Sequence, residues 1–340
     1  MTLDPRRLGL ISRLPKVELH LHIEGTLEPE LMFRLAQKHG AKLPYQNVDE
    51  VRAAYKFGDL QSFLDLYYAG CAVLRDRADF AELARAYFAR AAADGVVHAE
   101  LFFDPQSHTA RGIGMDVVIG GLTDAMAEAR ARHGITSELI LCFLRHLSED
   151  EALATLDAAL PFRDRFIGVG LDSGERGNPP SKFARVFAKA RALGLHAVAH
   201  AGEEGPASYI REALALLGAE RIDHGVRCDE DPALVHELAL AQIPLTVCPL
   251  SNKALCVTPD LRTHNFARLL RAGVAVTIHS DDPAYFGGYI GDNYRAIADA
   301  TELTFEELVL CAENAVRAAF VPDARKQELL AKIRQIASAV

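Results

Sequence analysis

The chain has 340 residues, 50% hydrophobic and 24% charged, with 24 Gly and 15 Pro, which is ordinary globular usage, long enough for one large α/β barrel or two modest domains. Its 37 Lys and Arg against 46 Asp and Glu give a net charge of −9 with no basic cluster, which argues against a nucleic-acid partner. Six cysteines without a C-x-x-C pair exclude a zinc ribbon and a disulfide-stapled fold, and no apolar run is long enough for a signal peptide or a membrane span, so the cytoplasm is the expected compartment.

In chain order, eight short apolar runs read as strands: residues 17–22, 96–103, 138–145, 166–171, 196–200, 221–224, 244–248 and 274–279. Helix-period segments alternate with them, which predicts a parallel sheet, and eight units predict a (β/α)8 TIM barrel in a single domain over 1–340. The first strand carries His20 and His22, two apart and therefore on one face. A helical insertion follows over about 26–95, with periodic Leu31, Leu35, Phe63, Leu64, Tyr67 and Tyr68. Because it leaves the C-terminal end of the first strand, it is expected to lie over the barrel mouth as a lid. Ser148-x-x-Glu151 and Thr304-x-x-Glu307 read as capping boxes, Gly194 and Gly218 as helix ends, and 293–340 as extra C-terminal helices.

The ends of later strands carry chemistry. The fifth runs into His200-Ala201-Gly202-Glu203, the sixth into Asp223-His224-Gly225, and the eighth into Ser280-Asp281-Asp282-Pro283. Three imidazoles and a carboxylate, His20, His22, His200 and Asp281, form a ligand set suited to Zn2+, with Fe2+ or Mn2+ also compatible. A metal-activated water needs a positioning or deprotonating group and a proton donor, roles for His224 and Glu203; burial is expected to raise the Glu203 pKa. Glu204 reads as a solvated loop carboxylate. Cys248, Ser251 and Asn252 read as supporting or packing groups, since no base partners the thiol. His39, His133, His236 and His264 read as surface residues, whereas His98, His108, His146 and His279 lie in or just after strands and are kept as supporting or substrate contacts.

Residues 15–25, PKVELHLHIEG, together with the three strand-end motifs above, resemble the ordered motifs of the adenosine and adenine deaminase family of the amidohydrolase superfamily, over nearly the whole chain. The resemblance implies a zinc-dependent hydrolytic deaminase in which Glu203 protonates a purine ring nitrogen, His224 orients or deprotonates the water, and Asp282 hydrogen-bonds another ring nitrogen. Glu24 stands where the adenosine branch usually carries Asp, and a longer acid is expected to intrude on the sugar's space. Residues 101–108, LFFDPQSH, and 170–175, GLDSGE, resemble the adenine branch; they place Ser173 and Gly174 beside the substrate. His279 departs from the small polar residue commoner before Ser-Asp-Asp. The expected reaction is therefore adenine to hypoxanthine and ammonia, in purine salvage. Adenosine or an N6-substituted adenine is the alternative substrate, and a non-catalytic purine-binding protein the alternative of another class. The expected partner is a small purine, without nucleic acid or membrane, and a homo-oligomer is compatible with the sequence.

Overall fold

The computed structural model describes residues 4–339. Eight strands pair in sequence order, each parallel to the next: β1 (Lys16–His22), β2 (Val96–Phe103), β3 (Thr136–Leu144), β4 (Gly168–Asp172), β5 (His196–Ala201), β6 (Arg221–His224), β7 (Leu245–Val247) and β8 (Val276–Ile278). Helices lie between them, and the fold is a (β/α)8 TIM barrel. The β8 end closes on β1 through two backbone bonds, His22 N–H to Asp281 O and Asp281 N–H to His20 O, both 3.0 Å. The seam of the barrel thus runs through three residues of the expected metal set. Every residue of β1 is buried, as a strand covered on both faces requires.

Between β1 and β2 the chain forms a short 3-10 turn and the helices Pro29–His39, Val48–Ala54, Leu60–Cys71 and Arg77–Ala93. The Asp59 carboxylate accepts from Ser62 N–H and the Ser62 hydroxyl side chain answers at the Asp59 backbone, which starts the helix Leu60–Cys71 sharply. Its apolar side, Leu60, Phe63, Leu64, Tyr67 and Cys71, packs on Leu255, Tyr285 and Phe286 from the loops after β7 and β8. That cluster is separate from the main core around the barrel. The capping boxes at Ser148 and Thr304 are both formed, and Gly194 and Gly218 adopt φ of 73° and 65° at helix ends. After β8 the chain adds Pro283–Phe286, Ile290–Ala300, Phe305–Ala318 and Asp323–Ser338; the expected helical tail to residue 340 ends one residue beyond the described part. No helix among the described residues is long and apolar enough to cross a membrane.

Candidate active site

The C-terminal strand ends converge on a cavity lined among others by His22, His200, Glu203, His224, Asp281 and Asp282, and roofed by Phe63, Leu64 and Tyr67 of the helix Leu60–Cys71. Alternation along β1 sends His20 and His22 to the same face. Their Nε2 atoms stand 3.1 and 3.2 Å from His200 Nε2, and 3.3 and 3.5 Å from Asp281 Oδ1. Bonds of about 2.0–2.1 Å to a central ion would set tetrahedral ligand atoms about 3.3 Å apart, which these four separations bracket.

The ring tautomers make the same point. His20 Nδ1 donates to Thr246 O at 2.9 Å and His200 Nδ1 donates to Leu171 O at 3.1 Å. A carbonyl only accepts, so both rings carry a hydrogen on Nδ1 and turn their Nε2 atoms toward each other. Burial and the neighbouring imidazoles hold His200 well below its ordinary pKa, whereas for His20 burial pulls down and the charges of Asp281 and Asp223 outweigh it, so that its pKa is raised. Burial pushes Asp281 up, but the imidazoles of His20, His224 and His22 outweigh it and keep the carboxylate ionised, well below its usual range. His20, His200, His224 and Asp281 offer one ligand atom each within 4.8 Å of one another, and His22 Nε2 stands beside His200 and Asp281, a donor set that fits a divalent cation.

Behind these groups lies a supporting layer. The Thr246 hydroxyl bridges His20 Nδ1 (3.0 Å) and Asp223 Oδ1 (2.7 Å), while Asp223 Oδ2 stands 3.6 Å from His200 Nδ1. Asp172 Oδ2 faces His22 Nδ1 at 3.5 Å. Outer carboxylates of this kind fix the ring orientation of metal-binding histidines. Three of the six non-glycine residues with left-handed φ among those described, Ser173, His224 and Asp281, sit at the ends of β4, β6 and β8. Such conformations cost about 1–3 kcal/mol each and persist where the surroundings over-determine them.

His224 Nε2 lies 3.6 Å from both Glu203 Oε1 and Asp281 Oδ2. Its tautomer is set from a distance. Phe266 N–H donates to His264 Nδ1 (3.0 Å), so His264 carries its hydrogen on Nε2 and donates to Asn252 Oδ1 (3.1 Å). The Asn252 amide is thereby turned to donate from Nδ2 to His224 Nδ1 (3.4 Å), which leaves the hydrogen on His224 Nε2. Burial lowers His224 to about 3, so the ring is neutral. His264, expected at the surface, is instead buried, because this relay runs through it.

Glu203 is buried with Oε1 unpartnered, and burial, reinforced by the charges of Asp281, Glu175 and Glu204, pushes its carboxyl well above the usual range. Asp282 is likewise buried and raised, by burial and then by Asp281. Its carboxylate occupies the space where a Cβ at position 25 would be, so Gly25 is required there. Glu204 is not solvated as expected: its carboxylate accepts from Leu60 N–H at 3.4 Å and pairs with Arg176 at 3.2 Å, because the lid-side helix begins directly above it.

The remaining expected substrate contacts divide. Ser173 lines the cavity, with its hydroxyl 2.8 Å from both Tyr68 Oη and His146 Nδ1. Gly174 lies outside it, on an adjoining cleft with Gln61 and Arg176. Glu24 is fully buried but turned from the cavity wall, accepting at Oε1 from His108 Nε2 (2.8 Å) and from Asp104 N–H (3.2 Å). His279 is packed below the site, with Nε2 on Thr277 Oγ1 and Nδ1 accepting from Leu19 N–H, and His98 joins Thr136 to Glu100. Sequence reasoning quoted Asp104, Asp172, Asp223 and Glu175 within motifs but assigned none of them a role. The first two end β2 and β4, so the strand-end signal that found His200 and His224 was present for them too.

A family model described as adenosine deaminase matches residues 15–336. A protein of Cupriavidus metallidurans named adenine deaminase is 61% identical over 339 residues, 100% of this chain and 96% of its own length. A crystal structure of adenine deaminase from Arthrobacter aurescens is similar at TM-score 0.94 and 50% identity, covering 96% of this chain and 99% of that one. An amidohydrolase of Burkholderia ambifaria, solved with bound Zn, is similar at TM-score 0.90 and 26% identity, covering 100% of this chain and 96% of that one.

Proposed function

The chain belongs to the adenosine deaminase family, and from that membership we propose that it is an enzyme that hydrolyses adenine to hypoxanthine and ammonia, a purine-salvage reaction, with His20, His22, His200 and Asp281 holding one divalent metal ion. The observation that carries this reading is that His20 and His22 each bring Nε2 to within 3.5 Å of both His200 Nε2 and Asp281 Oδ1, beside the cavity that Glu203, His224 and Asp282 line. Two or more nitrogen donors with one carboxylate favour Zn2+ over harder cations. Bound there, the metal supplies a water whose pKa falls toward about 7.

The chain's own residues do the rest. Glu203, kept protonated by its burial, gives its proton to the ring nitrogen beside the amino-bearing carbon, which makes that carbon electrophilic. His224, with its hydrogen on Nε2, orients the incoming oxygen by donating to it rather than by taking its proton. That proton passes to Asp281 Oδ2, 3.6 Å from the same nitrogen, and on to the amino group, which leaves as ammonia. The oxygen's second proton returns to Glu203 as the carbonyl forms, so the acid is restored. Asp282 hydrogen-bonds the ring nitrogen nearest it and Ser173 borders the substrate, while Glu24 acts from behind the wall. The helix Leu60–Cys71 serves as the lid that excludes water over the ring.

Ammonia release from adenine by the zinc-loaded protein tests the reading, with Glu203→Gln as the control. The variant should keep its metal and lose about 10³-fold in kcat/KM; a variant retaining most of its activity removes Glu203 as the acid. Absence of ammonia from the metal-loaded wild type would favour the purine-binding alternative.

A further inference from the structure

Adenine and adenosine present the same N1, N3, N7 and amino group to a binding site. On the base itself they differ in one polar group, since the free base carries an N–H on its five-membered ring where the nucleoside carries a sugar. A site that tells them apart by hydrogen bonding therefore needs an acceptor that the shared groups leave unused. The cavity wall holds such an acceptor.

Asp104 lies at the end of β2, 2% exposed, and lines the same cavity as Glu203 and Asp282. Its Oδ1 is buried with no hydrogen-bond partner. The rest of the residue is tied down. Oδ2 accepts from the Tyr67 hydroxyl at 3.0 Å, and the backbone N–H donates to Glu24 Oε1 at 3.2 Å. Glu24 is itself fixed: Arg111 donates to His108 Nδ1 at 2.8 Å, which leaves the His108 hydrogen on Nε2 to donate to Glu24 at 2.8 Å. Leaving a buried carboxylate oxygen unpaired is costly; the Tyr67 bond holds Oδ2, and the neighbouring carboxyl is Asp172, which burial and Asp104 push well above its usual range. Asp172, whose oxygens are also unpartnered, stands 3.5 Å from His22 Nδ1, and the unpartnered Glu24 Oε2 belongs to a residue outside the cavity lining. Glu203 and Asp282 have ring nitrogens of their own to serve.

We propose that Asp104, braced by Tyr67 and Glu24, selects the free base by accepting its N9–H through Oδ1. The inference rests on the adenine reading above. It moves the discrimination against a sugar from Glu24, which never reaches the wall, to the carboxylate that Glu24 supports. A substituent on N9 removes the donor and leaves Oδ1 buried against carbon, so a nucleoside is rejected by an unmade bond as well as by bulk.

The test compares adenine with 9-methyladenine, where one methyl group replaces the hydrogen. Sites built around a substrate N–H or O–H reject the analogue lacking it by about 10⁴-fold, and the wild-type ratio of kcat/KM should approach this. In Asp104→Ala, kcat/KM for adenine should fall about 100-fold while that for 9-methyladenine falls much less, so the ratio narrows by at least about tenfold; Asp104→Asn, which keeps an acceptor oxygen without the charge, should lie between. Product binding supplies a readout on the unaltered protein: hypoxanthine should bind far more tightly than 9-methylhypoxanthine in equilibrium titrations. Adenine turnover with an unchanged ratio in Asp104→Ala, or equal binding of the two products, overturns the inference and leaves the adenine reading standing. Absence of adenine turnover in the wild type overturns both. His22, Asp104 and Asp172 also offer one atom each within 4.8 Å of one another, so a second metal equivalent that disappears in Asp104→Ala would overturn the inference in favour of a second cation.

Discussion

Glu175 gives up its whole carboxylate to four consecutive backbone amides. Oε1 accepts from Gly202 N–H at 2.7 Å, and Oε2 accepts from Glu203, Glu204 and Gly205 N–H at 3.0, 2.8 and 2.7 Å. These are the residues of the turn that follows His200 and carries Glu203, the proposed proton donor, so the carboxylate of β4's following loop holds that turn after β5 in place. The close approach explains Gly205, where an added Cβ would lie 2.5 Å from Glu175 Oε1. Glu175→Gln replaces one acceptor oxygen by an NH2 facing an N–H, so at least one of these amides loses its partner. The expected outcome is a fall in kcat of about 10–100-fold, since a bond to a charged group is worth about 1.5–3 kcal/mol, with metal content unchanged by elemental analysis and KM for adenine nearly so. An unaltered kcat would show that the turn holds its shape without Glu175. Legibility at this scale followed chain position. His20, His22, His200, His224 and Asp281 could be read because they are chemically distinctive residues at strand ends. Glu24 could be placed beside the site but not oriented, since its direction depends on His108 and the Asp104 amide, 84 and 80 residues further along.

The helix Leu60–Cys71 shows what periodicity can and cannot convey. The spacing of Phe63, Leu64, Tyr67 and Tyr68 announces a helix with one apolar side, but not that this side meets Leu255, Tyr285 and Phe286 rather than the barrel. Strand lengths diverge for a related reason. The apolar runs 244–248 and 274–279 are strand only over Leu245–Val247 and Val276–Ile278; beyond them Pro244, which lacks an N–H, only accepts from Ile222 N–H, and His279 N–H donates to Val247 O. Apolar composition registers burial, whereas pairing also needs a partner in register. A cluster apart from the main core can open without unfolding the barrel. Phe63, which meets Tyr285 and Phe286 rings at centroid distances of 5.4 and 4.7 Å, is central to it. Phe63→Ala should therefore accelerate amide hydrogen exchange across 60–71 while exchange in β1 through β8 stays as in the wild type, and KM should rise with the loosened roof. Faster exchange spread evenly over the strands would mean that the helix and the barrel unfold as one unit.

Across the whole molecule, the active end depends on a buried polar tie at mid-barrel. Arg221 on β6 donates to Glu100 Oε2 on β2 at 2.6 Å, to Ala318 O at 3.2 Å and to Leu19 O at 3.4 Å, while Glu100 Oε1 accepts from Phe320 N–H at 2.6 Å. Both side chains are fully buried, and the guanidinium lies 4.4 Å above the Phe320 ring. One ion pair thus joins β2, β6, β1 and the C-terminal helices, and β1 and β6 carry His20, His22 and His224. Burial alone pushes Glu100 upward, but the Arg221 charge and His98 outweigh it and bring the carboxyl from 4.5 down to about 2. A carboxylate with a depressed folded-state pKa contributes stability above its unfolded value and loses it as pH falls toward the folded one, here from about 4.5 to about 2. Glu100→Gln removes that dependence and leaves Arg221 buried without its counter-charge, a loss of about 3–5 kcal/mol at neutral pH. Urea unfolding of both proteins should show the gap between them shrinking by about 2 kcal/mol from pH 7 to pH 3, since each pKa unit is worth about 1.4 kcal/mol. A gap that stays constant over this range would mean that Glu100 keeps its proton in the folded barrel, and that the tie holds by hydrogen bonding alone.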